Sequence, residues 1–176
     1  MRLKHRVQVC CLVLAAVLSQ FASADTIDTC SITVQPKYVR ELAQKFNDKI
    51  AADPNRAADK SVAILDFDLI PERDGQKIDD AVAQDVREDL STAMADVKGV
   101  TLVERGQMNE VIASLKLDQS GLIDLDKAKK LGEMLSADYV LCGSISDRGV
   151  FVVINARMID TRTAQIKYTA DVDFNK

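Results

Sequence analysis

The chain has 176 residues, 47% hydrophobic and 28% charged, with 23 Lys and Arg against 27 Asp and Glu for a net charge of −4. That length suits one domain with room for a buried core, and an acidic balance without a basic cluster argues against nucleic acid or anionic membrane as partners. The only histidine is His5 and there is no Trp, so the commonest general base and metal ligand are nearly absent.

Met1–Ala24 reads as a secretory signal. Arg2, Lys4 and Arg6 form its basic start, Val9–Leu18 its apolar centre, and Ala22-Ser23-Ala24 a small-residue cleavage site. The apolar run falls short of the roughly 20 residues that span a bilayer. Cleavage after Ala24 removes His5 and three basic residues, deepening the net charge to about −7. Cys10, Cys11 and Cys30 do not stand in a lipoprotein-processing context. Cys30 and Cys142 remain in a compartment where disulfides persist. Their pairing would close a long loop worth up to about 4–5 kcal/mol. The alternative is a buried thiol at Cys142 and a loose one at Cys30.

Residues 25–60 form a polar lead-in and an amphipathic helix. Val39, Leu42, Ala43, Phe46 and Ile50 recur at helical spacing from Lys37 to about Ala52. The helix either packs on the sheet or serves as a partner-facing arm. A domain over 61–176 follows. Ser61–Asp68 (SVAILDFD) is an apolar run, as in a strand covered on both faces. Asp66 and Asp68 flank Phe67 and should point to one side. They are candidates for cation binding or acid–base work, or for simple strand-end solvation. Leu69–Gln76 is a loop. A long helix then carries Ile78, Val82, Val86, Leu90, Ala93, Met94 and Val97, with an acidic opposite face.

Thr101–Glu104 is a second strand that turns through Arg105-Gly106 into a helix with Met108, Val111, Ile112 and Leu115. Glu104-Arg105 could bind an anion, or tie that turn to Asp66 or Asp68. After a loop on Ser120-Gly121, Asp124 is an N-cap and Leu125, Ala128, Leu131 and Leu135 form a buried stripe, with Met134 beside it. Gly132 would allow a close approach to a neighbour. A Ser-Ala-Asp link leads into Tyr139–Cys142, an apolar run suited to the centre of a sheet. Two alternating strands, Val150–Ile159 and Gln165–Phe174, complete a sheet-edge hairpin. In the second, Ile166, Tyr168, Ala170, Val172 and Phe174 take the inner face. The order implies an α/β (α+β) fold, with a mixed sheet, helices mainly on one face and a C-terminal antiparallel hairpin. No GxGxxG, P-loop, HExxH or GxSxG motif occurs.

The segments SVAILDFD, LVERGQMNEVIASLKLDQSGLIDLDKAKKLGEMLSADYVLCGSIS and INARMIDTRTAQI resemble the periplasmic domain of the CsgG family of curli secretion components. TolB amino-terminal domains, FlgO and peptidoglycan-synthase activator lipoproteins are related. Asp66, Glu104, Arg105, Gly121, Asp124, Gly132, Asp138 and Gly143 match the family pattern as structural positions. The resemblance implies a TolB amino-terminal-like fold and a non-enzymatic, cofactor-free role in envelope assembly or transport. Its partners would be envelope or outer-membrane proteins, with homo-oligomer formation open and no direct membrane span. The location would be the periplasm, in association with the outer membrane. No lipobox or long alternating hairpin is present, so the domain carries over but the CsgG pore does not. A second reading is a periplasmic regulator that activates an envelope enzyme such as a peptidoglycan synthase. A third is an enzyme or ligand-binding domain built on Asp66, Asp68, Glu104 and Arg105.

Overall fold

The computed structural model describes residues 32–54, 59–71, 78–115 and 124–176. The signal reading of Met1–Ala24, Cys30 and Gly121 lie outside them. Ten elements follow in order: α1 Pro36–Ala52, β1 Lys60–Ile64, β2 Asp68–Ile70, α2 Asp80–Ala95, β3 Val100–Leu102, α3 Arg105–Ser114, α4 Leu125–Leu135, β4 Tyr139–Asp147, β5 Phe151–Asp160 and β6 Gln165–Asn175. The sheet runs β3-β1-β4-β5-β6, and β2 also pairs with β4. β1 is parallel to β3 and β4, and β2 is parallel to β4. β4, β5 and β6 form an antiparallel meander. This is the expected mixed α/β fold with its C-terminal hairpin.

The two faces differ in cover. Val39, Leu42, Phe46 and Ile50 of α1 and Val86, Leu90 and Met94 of α2 pack on Val62, Leu141, Ile154, Met158 and Val172. Met108 and Ile112 of α3 and Ala128, Leu131 and Leu135 of α4 pack on Ala63, Val140, Cys142 and Ile159. The long pair holds the larger cluster, but with two helices on each face the helices do not lie mainly on one side, contrary to the expectation from the sequence. The short pair adds a second layer over β1 and β4. α1 therefore packs on the sheet, and is no free arm.

Several local expectations are corrected. The run Ser61–Asp68 is broken: β1 stops at Ile64, and Asp68, Leu69 and Ile70 resume as β2. The break frees Asp66 from the sheet ladder, so Asp66 and Asp68 are not two positions of one strand. β3 ends at Leu102, leaving Glu104 as the N-cap of α3. Leu125 and Met134 are exposed, and the α4 stripe is Ala128, Leu131, Gly132 and Leu135. Ile166 is also exposed, because a register shift at Met158/Ile159 turns it away from the face that Tyr168 shares with Ala170.

Two glycines answer steric demands. A Cβ on Gly132 would lie 2.1 Å from the Thr161 methyl carbon, and one on Gly143 would lie 2.0 Å from the Asn155 carbonyl oxygen. Neither distance is tolerable, so α4 can press on the β5–β6 turn, and β4 can pass beneath Phe67, only with glycine at these positions.

Candidate functional site

The carboxyl ends of β1 and β3 make the place in this topology where a ligand crevice is expected. From β1 and β2 the chain passes through α2, on the α1 side of the sheet. From β3 it passes through α3, on the other side. Adjacent parallel strands whose connections part to opposite faces leave a crevice between them. A cavity of about 380 Å³ lies there, walled by Ile64, Leu102 and Met108 with Arg87, Ser91 and Arg105.

Beside the cavity, Asp66 serves two arginines. Arg105 Nη2 donates to Asp66 Oδ2 at 2.9 Å. Arg87 Nε lies 2.5 Å from Asp66 Oδ1, out of line for a hydrogen bond, so that contact is ionic. The Asp66 and Arg87 side chains are only 14% and 12% exposed. Arg87 Nη2 also reaches Glu88. The second arginine on Asp66 is the part that sequence reasoning missed. Its signal was that Arg87 is the sole basic residue of α2, one step from the buried Val86.

Glu104 does not join this group. Its carboxylate accepts from the Gln107 N–H at 3.0 Å, and the backbone N–H groups of Gly106 and Gln107 hold its pKa below the usual value. It is a helix cap. Asp68 stands on β2 opposite Ser144. Asp66 and Arg105 are thus brought together as expected, while Glu104 and Asp68 stand apart from them. By pairing with both arginines, Asp66 fastens α2 and α3 to the β1 end. Among the described residues, no group of three or more His, Cys, Asp or Glu side chains converges as a metal site.

The other singled-out positions lie elsewhere. Asp124 accepts from the Lys127 N–H at 2.8 Å and caps α4. Asp138 accepts from Ser61 N at 3.0 Å and from Lys60 Nζ at 3.1 Å, clamping the start of β1 to that of β4. Cys142 is a buried thiol, which burial pushes up in pKa, with Arg157 Nε 3.4 Å from its sulfur.

A family model described as peptidoglycan-synthase activator LpoB matches residues 37–170, from α1 into β6. The chain belongs to the LpoB family. Solved LpoB domains show the same fold. The C-terminal domain from Salmonella enterica is 17% identical, with a TM-score of 0.62 over 80% of this chain and 97% of that one. The C-terminal domain from Escherichia coli is 19% identical, with a TM-score of 0.62 over 78% and 98%. The NMR structure of E. coli LpoB is 18% identical, with a TM-score of 0.62 over 83% and 75%. Comparison with curated proteins returns no match.

Membership in the LpoB family overturns the CsgG assignment and, with it, the expected curli-assembly role. The resemblance rested on positions such as Asp66, Gly132, Asp138 and Gly143. In this chain they tie neighbouring elements together. A pattern made of such positions follows the fold, and separates families that share the fold poorly.

Proposed function

We propose that this protein activates a peptidoglycan synthase by direct contact and performs no chemistry of its own. The observation that carries this reading is the match to the activator family over residues 37–170. Two features support it. At the switch-point crevice Arg87 and Arg105 both pair with Asp66, and Glu104, a nearby acid, serves as a helix cap. The periplasm is the compartment that fits, from the secretory-signal reading of Met1–Ala24. No helix among the described residues is long and apolar enough to cross a membrane.

The test is reconstitution. The chain from residue 25 onward is added to the purified peptidoglycan synthase of the same organism, with glycan polymerisation and cross-linking followed in time. The expected result is a saturable rise in rate, with no turnover by the added chain alone. A synthase whose rate is unchanged at saturating concentrations, or substrate consumption by the chain alone, would overturn the proposal.

A further inference from the structure

We propose that the cavity at the amino ends of β1 and β4, at the far end of the sheet from the Asp66 cluster, binds a small zwitterion such as an amino acid or short peptide. It measures about 510 Å³, within the range of roughly 300–1,000 Å³ that holds small ligands. Its charge is balanced: Lys60, Arg162 and Lys167 stand against Asp53, Asp138 and Asp160. A polyanion would meet three carboxylates there, and a bare cation three positive groups, so a ligand carrying both signs fits best.

Part of this lining is already committed to holding the fold. Lys60 pairs with Asp138 at 3.1 Å, and Lys167 pairs with Asp53 at 2.8 Å. The Tyr168 hydroxyl donates to the same Asp53 oxygen at 2.6 Å. Three groups remain. Arg162 has no side-chain ion pair among the described residues. Asp160 Oδ1 accepts from the Arg162 and Thr163 N–H groups, which leaves Oδ2 open. The Tyr139 hydroxyl has no hydrogen-bond partner among the described residues; its ring lies tilted against Tyr168 at 6.3 Å.

These three groups complement a zwitterion. Arg162 can hold a carboxylate, and Asp160 an ammonium. The Tyr139 hydroxyl can donate to one or accept from the other. Burial, and then the charge of Asp160, push that hydroxyl above its ordinary pKa, so it keeps its proton at neutral pH. The floor beneath is rigid, since Thr161 donates to the Ala137 carbonyl at 2.6 Å and its methyl fills the space over Gly132.

The probe is glycylglycine, titrated calorimetrically into the chain from residue 25 onward. N-acetylglycylglycine, glycylglycinamide and inorganic phosphate serve as comparisons. Saturable binding of glycylglycine is expected, weakened about tenfold when either end is capped. Arg162→Ala and Tyr139→Phe should each weaken it by about the same factor. Arg162→Ala, an exposed change, should leave the melting temperature unaltered. Any of three results overturns the proposal: no saturable heat, equal affinity for capped and uncapped peptides, or phosphate binding as tightly as glycylglycine. Unchanged affinity in the folded Arg162→Ala protein overturns it as well.

Discussion

Asp66 pairs with the guanidiniums of both Arg87 and Arg105, so its replacement should matter more than that of most surface acids. Asp66→Asn keeps the shape and removes the counter-charge, leaving Arg87 and Arg105 in mutual repulsion. Breaking a buried ion pair from one side costs on the order of 3 kcal/mol, and the urea midpoint should fall accordingly. A wild-type midpoint would show that solvent already screens the site. Half of this cluster was legible in the sequence. A charged dipeptide at a strand-to-helix turn suggests a partner on the neighbouring strand end, and Arg105 found Asp66. Arg87 was not legible, because periodicity assigns a helix residue to a face without saying what stands opposite. Gly132 was legible in kind, as a close approach, but its partner Thr161 lies across a turn that no local pattern predicts.

The helix starts carry a testable dependence on pH. Gly106 and Gln107 N–H groups lower the pKa of Glu104, and the Lys127 N–H lowers that of Asp124. A carboxyl depressed in the folded state contributes stability above its unfolded value, and loses it as pH falls through the folded one. The double change Glu104→Gln and Asp124→Asn keeps side chains able to cap and removes both titrations. Stability followed by circular dichroism in urea should therefore fall less steeply below the ordinary carboxylate range than in the parent. Identical slopes would mean that these caps are open in solution. Among the elements, helices were read most securely, since their apolar spacing survives an error of a residue or two. The split of β1 from β2 was not visible, because Leu65 and Phe67 are as buried as true strand residues. The exposure of Ile166 was hidden for a related reason: a bulge inverts an alternation that is regular in the sequence. The β6 edge carries features that oppose pairing with another strand. Lys167, Asp171 and Asp173 are exposed along it, and Lys45 of α1 donates to the Asp171 carbonyl at 2.6 Å, so part of the edge is already occupied.

At the scale of the molecule, the amphipathic helix read apart from residues 61–176 shares their larger core cluster. Phe46 is fully buried there. Phe46→Ala should cost about 3–5 kcal/mol and lower one cooperative transition, with helix signal and tyrosine fluorescence changing together. Two separate transitions would show that α1 folds independently. Sequence periodicity showed that α1 has a face to bury, but no rule of spacing says that its cover comes from the opposite end of the chain. Yet α1 meets β6 directly, and Tyr38 stacks on Phe174 with ring centroids 4.5 Å apart. A chain threaded through a membrane with its amino end leading would deliver α1 first and β6 last. Until the final strand arrives, the helix face bearing Phe46 lacks part of its cover, and native closure must wait for the whole domain to emerge. Such a long-range closure slows folding, because the chain between α1 and β6 must be brought together before their contacts form.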